Sequence, residues 1–479
     1  MRGSSLGLIS SNSYLATVDE QATTSPTSIP RKGDIIELTI EDWGDHGRGI
    51  GRAGRMVVLT DRGLPGDQIS ARIVKRRSHH LEAKLESILV PSAHRVEPRC
   101  AHFGVCGGCR LQDLDYARQV ADKVRHVADQ LQRIGGLQSL PEIEAISCDP
   151  PYGYRNKMEF SFGGARAQKI SLGLHAQNNY SDSFDLNECW ITDARAGEIV
   201  RTVREFFSSG ALAAYDPVAH TGYLRFLVVR FGVHTGDVLV NLVTADGPWP
   251  AAVEFGEHLR QKCPFVTTAL WTVNKTRANV AFGEVDRVFF GPGVLHEQLG
   301  PFTFEIAPTG FFQTNTRNAE KLFGKVVEWI AGTGERVLDL YSGAGAISLF
   351  LSQAAAEVTG VEVHADSVAA AIRNAERNGV TNCRFVCADT LDHLRALPPE
   401  EIRSSCIVLD PPRAGLHPKI VKLLLQSKSA RIVYVSCNPA ALARDLAVLQ
   451  EGYGLTRMAA VDMFPHTPHV EAVALLEAM

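Results

Sequence analysis

The sequence predicts a multidomain chain: a small β-barrel at the N-terminus, a cysteine-bearing α+β domain in the middle and an α/β domain at the C-terminus. Three observations carry this. Short strand-like runs punctuated by turn signals fill residues 31–90. Three cysteines crowd into Cys100–Cys109. Beyond residue 334, buried strand runs alternate with helical stretches, the pattern of a parallel sheet with crossover helices. A length of 479 residues suits roughly three domains, and 45% hydrophobic with 21% charged residues is ordinary globular material. No apolar run approaches the ~18 residues that span a bilayer. The expected division is a tail (1–30), the barrel (31–91), the central domain (92–330) and the α/β domain (331–479).

The tail is rich in Ser and Thr and lacks the apolar core of a secretory signal, so it reads as a disordered leader, with a weak transit peptide as the other option. In the barrel, Ile35–Ile40 alternates, His46–Gly51 is a glycine-rich turn, and Met56–Leu59, Ile69–Val74 and Leu81–Val90 are further strands. Pro65-Gly66-Asp67 turns between two of them. The product is an OB-like barrel. The chain as a whole carries −4, yet residues 31–110 are net positive, and Lys75-Arg76-Arg77 followed by His79-His80 forms a patch suited to phosphates. Trp43 is the main aromatic available for stacking on a base, so RNA binding here would be chiefly electrostatic.

Cys100, Cys106 and Cys109 make a C-x5-C-x2-C run whose glycines let the backbone fold tightly. Cys189 is the expected fourth ligand. Sulfur ligation suits zinc or an iron–sulfur cluster, and the spacing does not choose between them. His102 is a further possible ligand, or a solvated loop residue. Ten cysteines without a signal peptide imply reduced thiols and a cytoplasmic protein.

In the central domain, Leu114–Ile134 has helical periodicity. Tyr154–Phe160 and Tyr223–Val243 read as strands, the first with polar groups able to face RNA. Phe302–Ile306 leads into Pro308–Asn315, where Phe311 and Phe312 stack on a base or fill the core, and the amides that follow hydrogen-bond a ligand. Thr316–Ile330 is an amphipathic helix.

The α/β domain opens with the buried strand Val337–Tyr341 and the turn Ser342-Gly343-Ala344-Gly345-Ala346, where glycines admit a ligand to a helix N-terminus. The turn is not G-x-G-x-x-G, which disfavours a dinucleotide. The next strand, Val358–Val363, carries Glu362, placed to accept from ribose hydroxyls. Asp389 closes the strand Cys383–Ala388, and Asp410-Pro411-Pro412-Arg413 follows Cys406–Leu409; Cys383, Cys387 and Cys406 read as core. The set describes a Rossmann-like fold for S-adenosylmethionine. In the last parallel run, Ile432–Val435, the strand is broken by Ser436-Cys437-Asn438-Pro439. Ligands bind outside the carboxyl ends of such strands, so Cys437 is placed as a nucleophile.

With D-P-P-R, S-C-N-P and the terminal His469-Val470-Glu471 in view, the chain resembles the RNA uracil-C5 methyltransferases. It is most similar to the 23S ribosomal RNA 5-methyluridine enzymes that carry a TRAM domain and a [4Fe–4S] cluster. The match runs from about residue 31 to the C-terminus, with Ala346 departing from the Asn of many relatives. The resemblance implies a TRAM-like RNA-binding barrel and a [4Fe–4S] cluster on Cys100, Cys106, Cys109 and Cys189. It also implies S-adenosylmethionine contacts from Gln313, Tyr341, Glu362 and Asp410, the nucleophile Cys437 and the base Glu471. The partner would be RNA, 23S ribosomal RNA first and transfer RNA second, and the enzyme a monomer. Uracil C5 is too weak a nucleophile to take a methyl group unaided; a thiolate on C6 activates it, and a carboxylate removes the C5 proton. Two other readings are a non-catalytic RNA-binding iron–sulfur sensor and an exocyclic-amine methyltransferase, neither of which needs the thiol.

Overall fold

In the computed structural model, which describes residues 29–164, 170–177, 183–208, 212–332 and 336–479, the chain forms two units. The expected N-terminal tail lies almost wholly outside the described residues. The first unit, residues 29–44 with 48–93, is a closed barrel of β1 (Ile35–Trp43), β2 (Gly49–Ala53), β3 (Met56–Thr60), β4 (Gln68–Arg76) and β5 (His80–Val90), in the order β1-β2-β3-β5-β4. Alternate residues point inward along each strand, so Leu38, Ile40, Val58, Ile69, Ile73 and Leu81 fill it. The segment expected to be a glycine turn, His46–Gly51, divides: His46 and Gly47 lie in a short 3-10 turn, and Gly49–Gly51 begin β2. Gly51 is there because a Cβ would stand 2.5 Å from the Thr39 carbonyl oxygen, which would push β1 and β2 apart. Asp67 secures the Pro65-Gly66-Asp67 turn by accepting from the N–H groups of Leu64 (2.6 Å) and Ser92 (2.8 Å). Trp43 is 3% exposed, so it is not a stacking platform.

The second unit spans residues 94–479, with 45–47. It opens with α1 (Tyr116–Arg133) and β6 (Ile143–Ile146). A six-stranded sheet follows, built from β7 (Lys157–Gly163), β8 (Ser171–Gly173), β9 (Leu224–Phe231), β10 (Val238–Thr244), β11 (Thr268–Val273) and β12 (Glu284–Phe290) in the order β12-β11-β10-β9-β7-β8. Its helices α2 (Arg195–Phe207) and α3 (Ala252–Lys262) share an apolar cluster with it that includes Phe207, Trp249, Phe255 and Trp271. The hairpin β13 (Leu295–Leu299) and β14 (Phe302–Ile306) then leads to α4 (Thr316–Ile330).

The rest is one eight-stranded sheet. Its parallel part is β15 (Arg336–Leu340), β16 (Glu357–Glu362), β17 (Cys383–Cys387), β18 (Ser405–Leu409) and β19 (Arg431–Ser436). The crossovers are α5 (Ala346–Leu351), α6 (Ala365–Arg377), α7 (Thr390–Ala396), α8 (Pro399–Arg403), α9 (Pro418–Ser427) and α10 (Pro439–Leu449). β20 (Tyr453–Val461) and β21 (Glu471–Ala478) close the chain. The order is β17-β16-β15-β18-β19-β21-β20-β6, with β21 antiparallel to both neighbours. β6 thus belongs to this sheet although it comes from the middle of the sequence, pairing Ile146 with Val461. Chain order reverses between β15 and β18, which opens a crevice at their carboxyl ends. Of the three strand cysteines expected in the core, Cys406 is buried and Cys383 partly so. Cys387 is exposed, because β17 is the edge of the sheet.

Candidate active site

Four of the expected site residues converge on that crevice because each stands where a strand ends. Tyr341 follows β15, Glu362 ends β16, Asp410 follows β18 and Cys437 follows β19. Tyr341 has φ 69, a left-handed conformation that a bulky residue keeps only when its surroundings impose it. It starts the Ser342–Gly345 turn, in which Gly343 and Gly345 also have positive φ. A Cβ on Gly343 would meet nothing within 4 Å, so the turn faces open space, whereas one on Gly345 would strike Ala371 at 2.9 Å. Glu362 accepts from the Gly343 N–H (3.1 Å) and the His364 N–H (2.9 Å), which binds the end of β16 to the glycine turn. Strand end, glycine turn and carboxylate together line the crevice. Gln313 is placed by its backbone: its carbonyl accepts from Asn156 Nδ2 (2.9 Å) in the loop before α4. In the same loop Phe311 is 77% exposed and Phe312 5%, so the aromatic pair divides into one free ring and one core residue.

Cys437 ends β19 where a helix begins. Asn438 caps α10, its Oδ1 accepting from the Ala440 N–H (3.2 Å), and Pro439 takes the first helical position. Asn438 Nδ2 donates to the Arg413 carbonyl (2.9 Å), tying this turn to the D-P-P-R loop. Ser436 pairs with Ala472 across β19 and β21, and the same register one step further sets Cys437 opposite Glu471. Asp410 and Arg413 complete the group.

Burial dominates the electrostatics here. It pushes the Cys437 thiol up to about 11, with the Glu471 charge adding to the rise. The Arg413 guanidinium, which donates a hydrogen bond to the sulfur, opposes it. Burial takes Asp410 up to about 7 and holds Glu471 well above the carboxylate range, Asp410 adding to the second and Arg413 opposing it. Arg413 was in plain sight in the sequence as the last letter of D-P-P-R, but nothing there linked it to a thiol 24 residues on. His469 is exposed and edge-on to Phe464, ring centroids 6.2 Å apart.

The four expected cysteine ligands form a second group. Cys100, Cys106, Cys109 and Cys189 lie near enough for their charges to raise one another's pKa, Cys109 reaching about 12 and Cys189 about 11, with burial the larger cause in each. Each sulfur also accepts a hydrogen bond: Cys106 from the Gly108 N–H (3.3 Å), Cys189 from the Ile191 N–H, Cys100 from the His102 and Phe103 N–H groups, and Cys109 from the Gln112 side chain. The N–H donors favour the thiolate form, which burial opposes. Among the described residues, no three His, Cys, Asp or Glu side chains stand close enough to hold a single metal ion. His102 packs on Phe184, centroids 5.1 Å apart.

The comparisons with known proteins agree with this crevice. Residues 294–479 match the model of the tRNA (uracil-5-)-methyltransferase family. The chain is 38% identical to an uncharacterized RNA methyltransferase of Nitratidesulfovibrio vulgaris, over 93% of this chain and 96% of that one. It is 38% identical to another from Chlorobaculum tepidum, over 93% and 97%. Among solved structures it superposes on the Pyrococcus abyssi tRNA (uracil-54, C5)-methyltransferase in complex with S-adenosyl-L-homocysteine, with TM-score 0.75 and 30% identity, over 92% of this chain and all of that one. Family membership sets aside the sensor and the amine methyltransferase. The chain belongs to the tRNA (uracil-5-)-methyltransferase family and is an S-adenosylmethionine-dependent RNA methyltransferase.

Proposed function

We propose that the enzyme methylates C5 of a uridine in RNA through a covalent adduct between Cys437 and C6, with Glu471 as the base. The observation that carries this is the pairing of thiol and carboxyl across β19 and β21, beside Arg413 and at the mouth of the cofactor crevice. Tyr341, Glu362, Asp410 and Gln313 are the proposed contacts of S-adenosylmethionine, which supplies an electrophilic methyl group on a sulfonium cation. A positive charge beside Asp410, Glu471 and Cys437 favours their ionised forms, which burial alone opposes. The target base must leave its stack to reach the crevice, and the exposed ring of Phe311, two residues before Gln313, is the proposed stacking surface for it. The two residues should fail differently. Cys437→Ala should bind RNA and form no adduct. Glu471→Gln should methylate and stall, leaving RNA joined to protein as a denaturant-resistant band. A Glu471→Gln enzyme that turns over normally, without that band, would remove Glu471 from the mechanism.

We further propose that the four cysteines hold a [4Fe–4S] cluster. Four sulfurs, two buried and two half-buried, each with an N–H donor, suit it, and a cluster spreads its ligands wider than a single ion with bonds of roughly 2.3 Å does. Protein purified without air should be brown and contain iron and sulfide; colourless protein with one zinc overturns this. The barrel and the cysteine set favour 23S ribosomal RNA as substrate, the barrel acting as a TRAM-like module in a monomeric, cytoplasmic enzyme. The likeness of almost the whole chain to a transfer RNA enzyme supports the T-loop as a second reading. Mapping 5-methyluridine in total RNA of a deletion strain separates the two.

A further inference from the structure

The turn between β20 and β21 ends at Glu471, and its middle is held from one side. His466 has φ 65, a conformation that persists in a non-glycine residue only where it is imposed. Its N–H donates to Gln119 Oε1 (2.9 Å), and its carbonyl accepts from the N–H groups of Arg110 (2.8 Å) and Leu111 (3.0 Å). Its Nδ1 lies 3.2 Å from Gln119 Nε2. Gln119 is fully buried on α1, and its Nε2 donates to the carbonyls of Leu111 and Leu114, both at 2.8 Å. Neighbouring residues of the turn are held the same way. Tyr154 Oη donates to the Pro465 carbonyl (3.1 Å), and Lys123 Nζ to Asp462 Oδ1 (2.6 Å) and the Phe464 carbonyl (3.0 Å). Cys437 is further tied through Asn438 to the Arg413 carbonyl. The two reacting groups share the β19–β21 ladder, but the turn that leads into Glu471 has in Gln119 a support that Cys437 does not use.

We propose that Gln119 is a positioning residue for removal of the C5 proton: it sets the turn that aims Glu471 and leaves the addition of Cys437 untouched. This rests on the assignment of Cys437 and Glu471 made above. In that reaction the Sγ–C6 bond forms as the C5=C6 pair moves into an enolate. C5 then takes the methyl group while the donor sulfur keeps the electrons of its broken bond. The C5 proton passes to the Glu471 carboxylate, the C–H pair restores C5=C6, and the C6–Sγ pair returns to sulfur as a thiolate. Only the proton step needs the turn.

The test uses the full-length enzyme, S-adenosylmethionine and total RNA from a strain lacking the gene, read on a denaturing gel. Gln119→Met should lower turnover at least several-fold and accumulate the RNA–protein band. With RNA containing 5-fluorouridine, whose fluorine no base removes, the band should form at the wild-type rate. Glu471→Gln run alongside separates the failures. If Glu471→Gln traps ordinary RNA and Gln119→Met does not, the inference alone is overturned. If neither traps it, the assignment of Glu471 falls and takes the inference with it. Loss of the fluorouridine band in both Gln119→Met and the isosteric Gln119→Glu would show that the residue merely supports the fold, and would also overturn the proposal.

Discussion

A thiol at a helix N-terminus beside a guanidinium has two influences that lower its pKa. At Cys437 both are outweighed: burial and the Glu471 charge carry it from 9.0 to about 11. In the ligand-free enzyme the sulfur is therefore protonated at neutral pH, and its alkylation by iodoacetamide should climb about tenfold per pH unit from 7 to 10 without levelling. Removing the opposing cation should slow it further, so Arg413→Gln should react more slowly than wild type at each of these pH values. Peptide mass spectrometry separates Cys437 from the exposed Cys387. A rate that already levels off between pH 9 and 10 would mean that an ordinary thiol stands there. Cys437 was legible in the sequence because a β-branched run followed by S-C-N-P has few alternatives to a strand end. Arg413 was not, because its partner lies on another loop, and pairing between loops leaves no local trace. Trp43 was expected as a stacking ring and is buried, because an indole at a strand end reads the same in sequence whether or not the fold covers it.

Between elements, the tightest polar contact behind the crevice joins β15 to α5. Ser348 Oγ donates to Asp339 Oδ2 at 2.5 Å, while Oδ1 of the same carboxyl is buried without a hydrogen-bond partner. Burial pushes Asp339 from 3.8 to about 7, with Asp410 and Glu362 contributing and Ser348 opposing. The native state then holds this proton more tightly than the unfolded chain. Its contribution to stability is full below about pH 4 and declines as pH rises, levelling off above about 7. Asp339→Asn does not titrate, so it should gain on wild type between pH 5 and 7, by at most about 4 kcal/mol for a shift of this size. Urea unfolding of both proteins at pH 5, 6, 7 and 8 measures the difference; one that stays constant rules the effect out. Elements with a strong period were readable, and the helix Thr316–Ile330 is found as expected. Two were not. β2 is too glycine-rich to look like a strand, since Gly51 answers to the closeness of Thr39 in space and Gly49 to that of Thr60. β6 is a four-residue run whose partner β20 lies some 300 residues on, a pairing that no local pattern encodes.

At the scale of the molecule, chemistry and charge lie in different units. The crevice residues, the cysteines and the Gln119–His466 tie all fall in residues 94–479, whereas the basic run of the barrel lies in β4 and just after it. There Arg72 meets Glu86 (2.7 Å) and Arg77 meets Glu82 (3.0 Å), while Lys75 and Arg76 are exposed. With Trp43 buried, the barrel's grip on RNA would be through phosphates, and such binding weakens with salt by about 0.9 in log–log slope for each duplex phosphate contact, somewhat less for single strands. Replacing Lys75 and Arg76 together by Ala should reduce that slope by a little under 2, weaken binding about equally across RNA sequences, and leave the single-turnover rate on saturating RNA unchanged. Filter binding from 50 to 300 mM salt, paired with single-turnover methylation, gives both numbers. An unchanged slope would show that the barrel does not meet the backbone. A normal slope with a slower chemical step would instead tie the barrel to the placement of the base, and the division of labour between the units would be wrong.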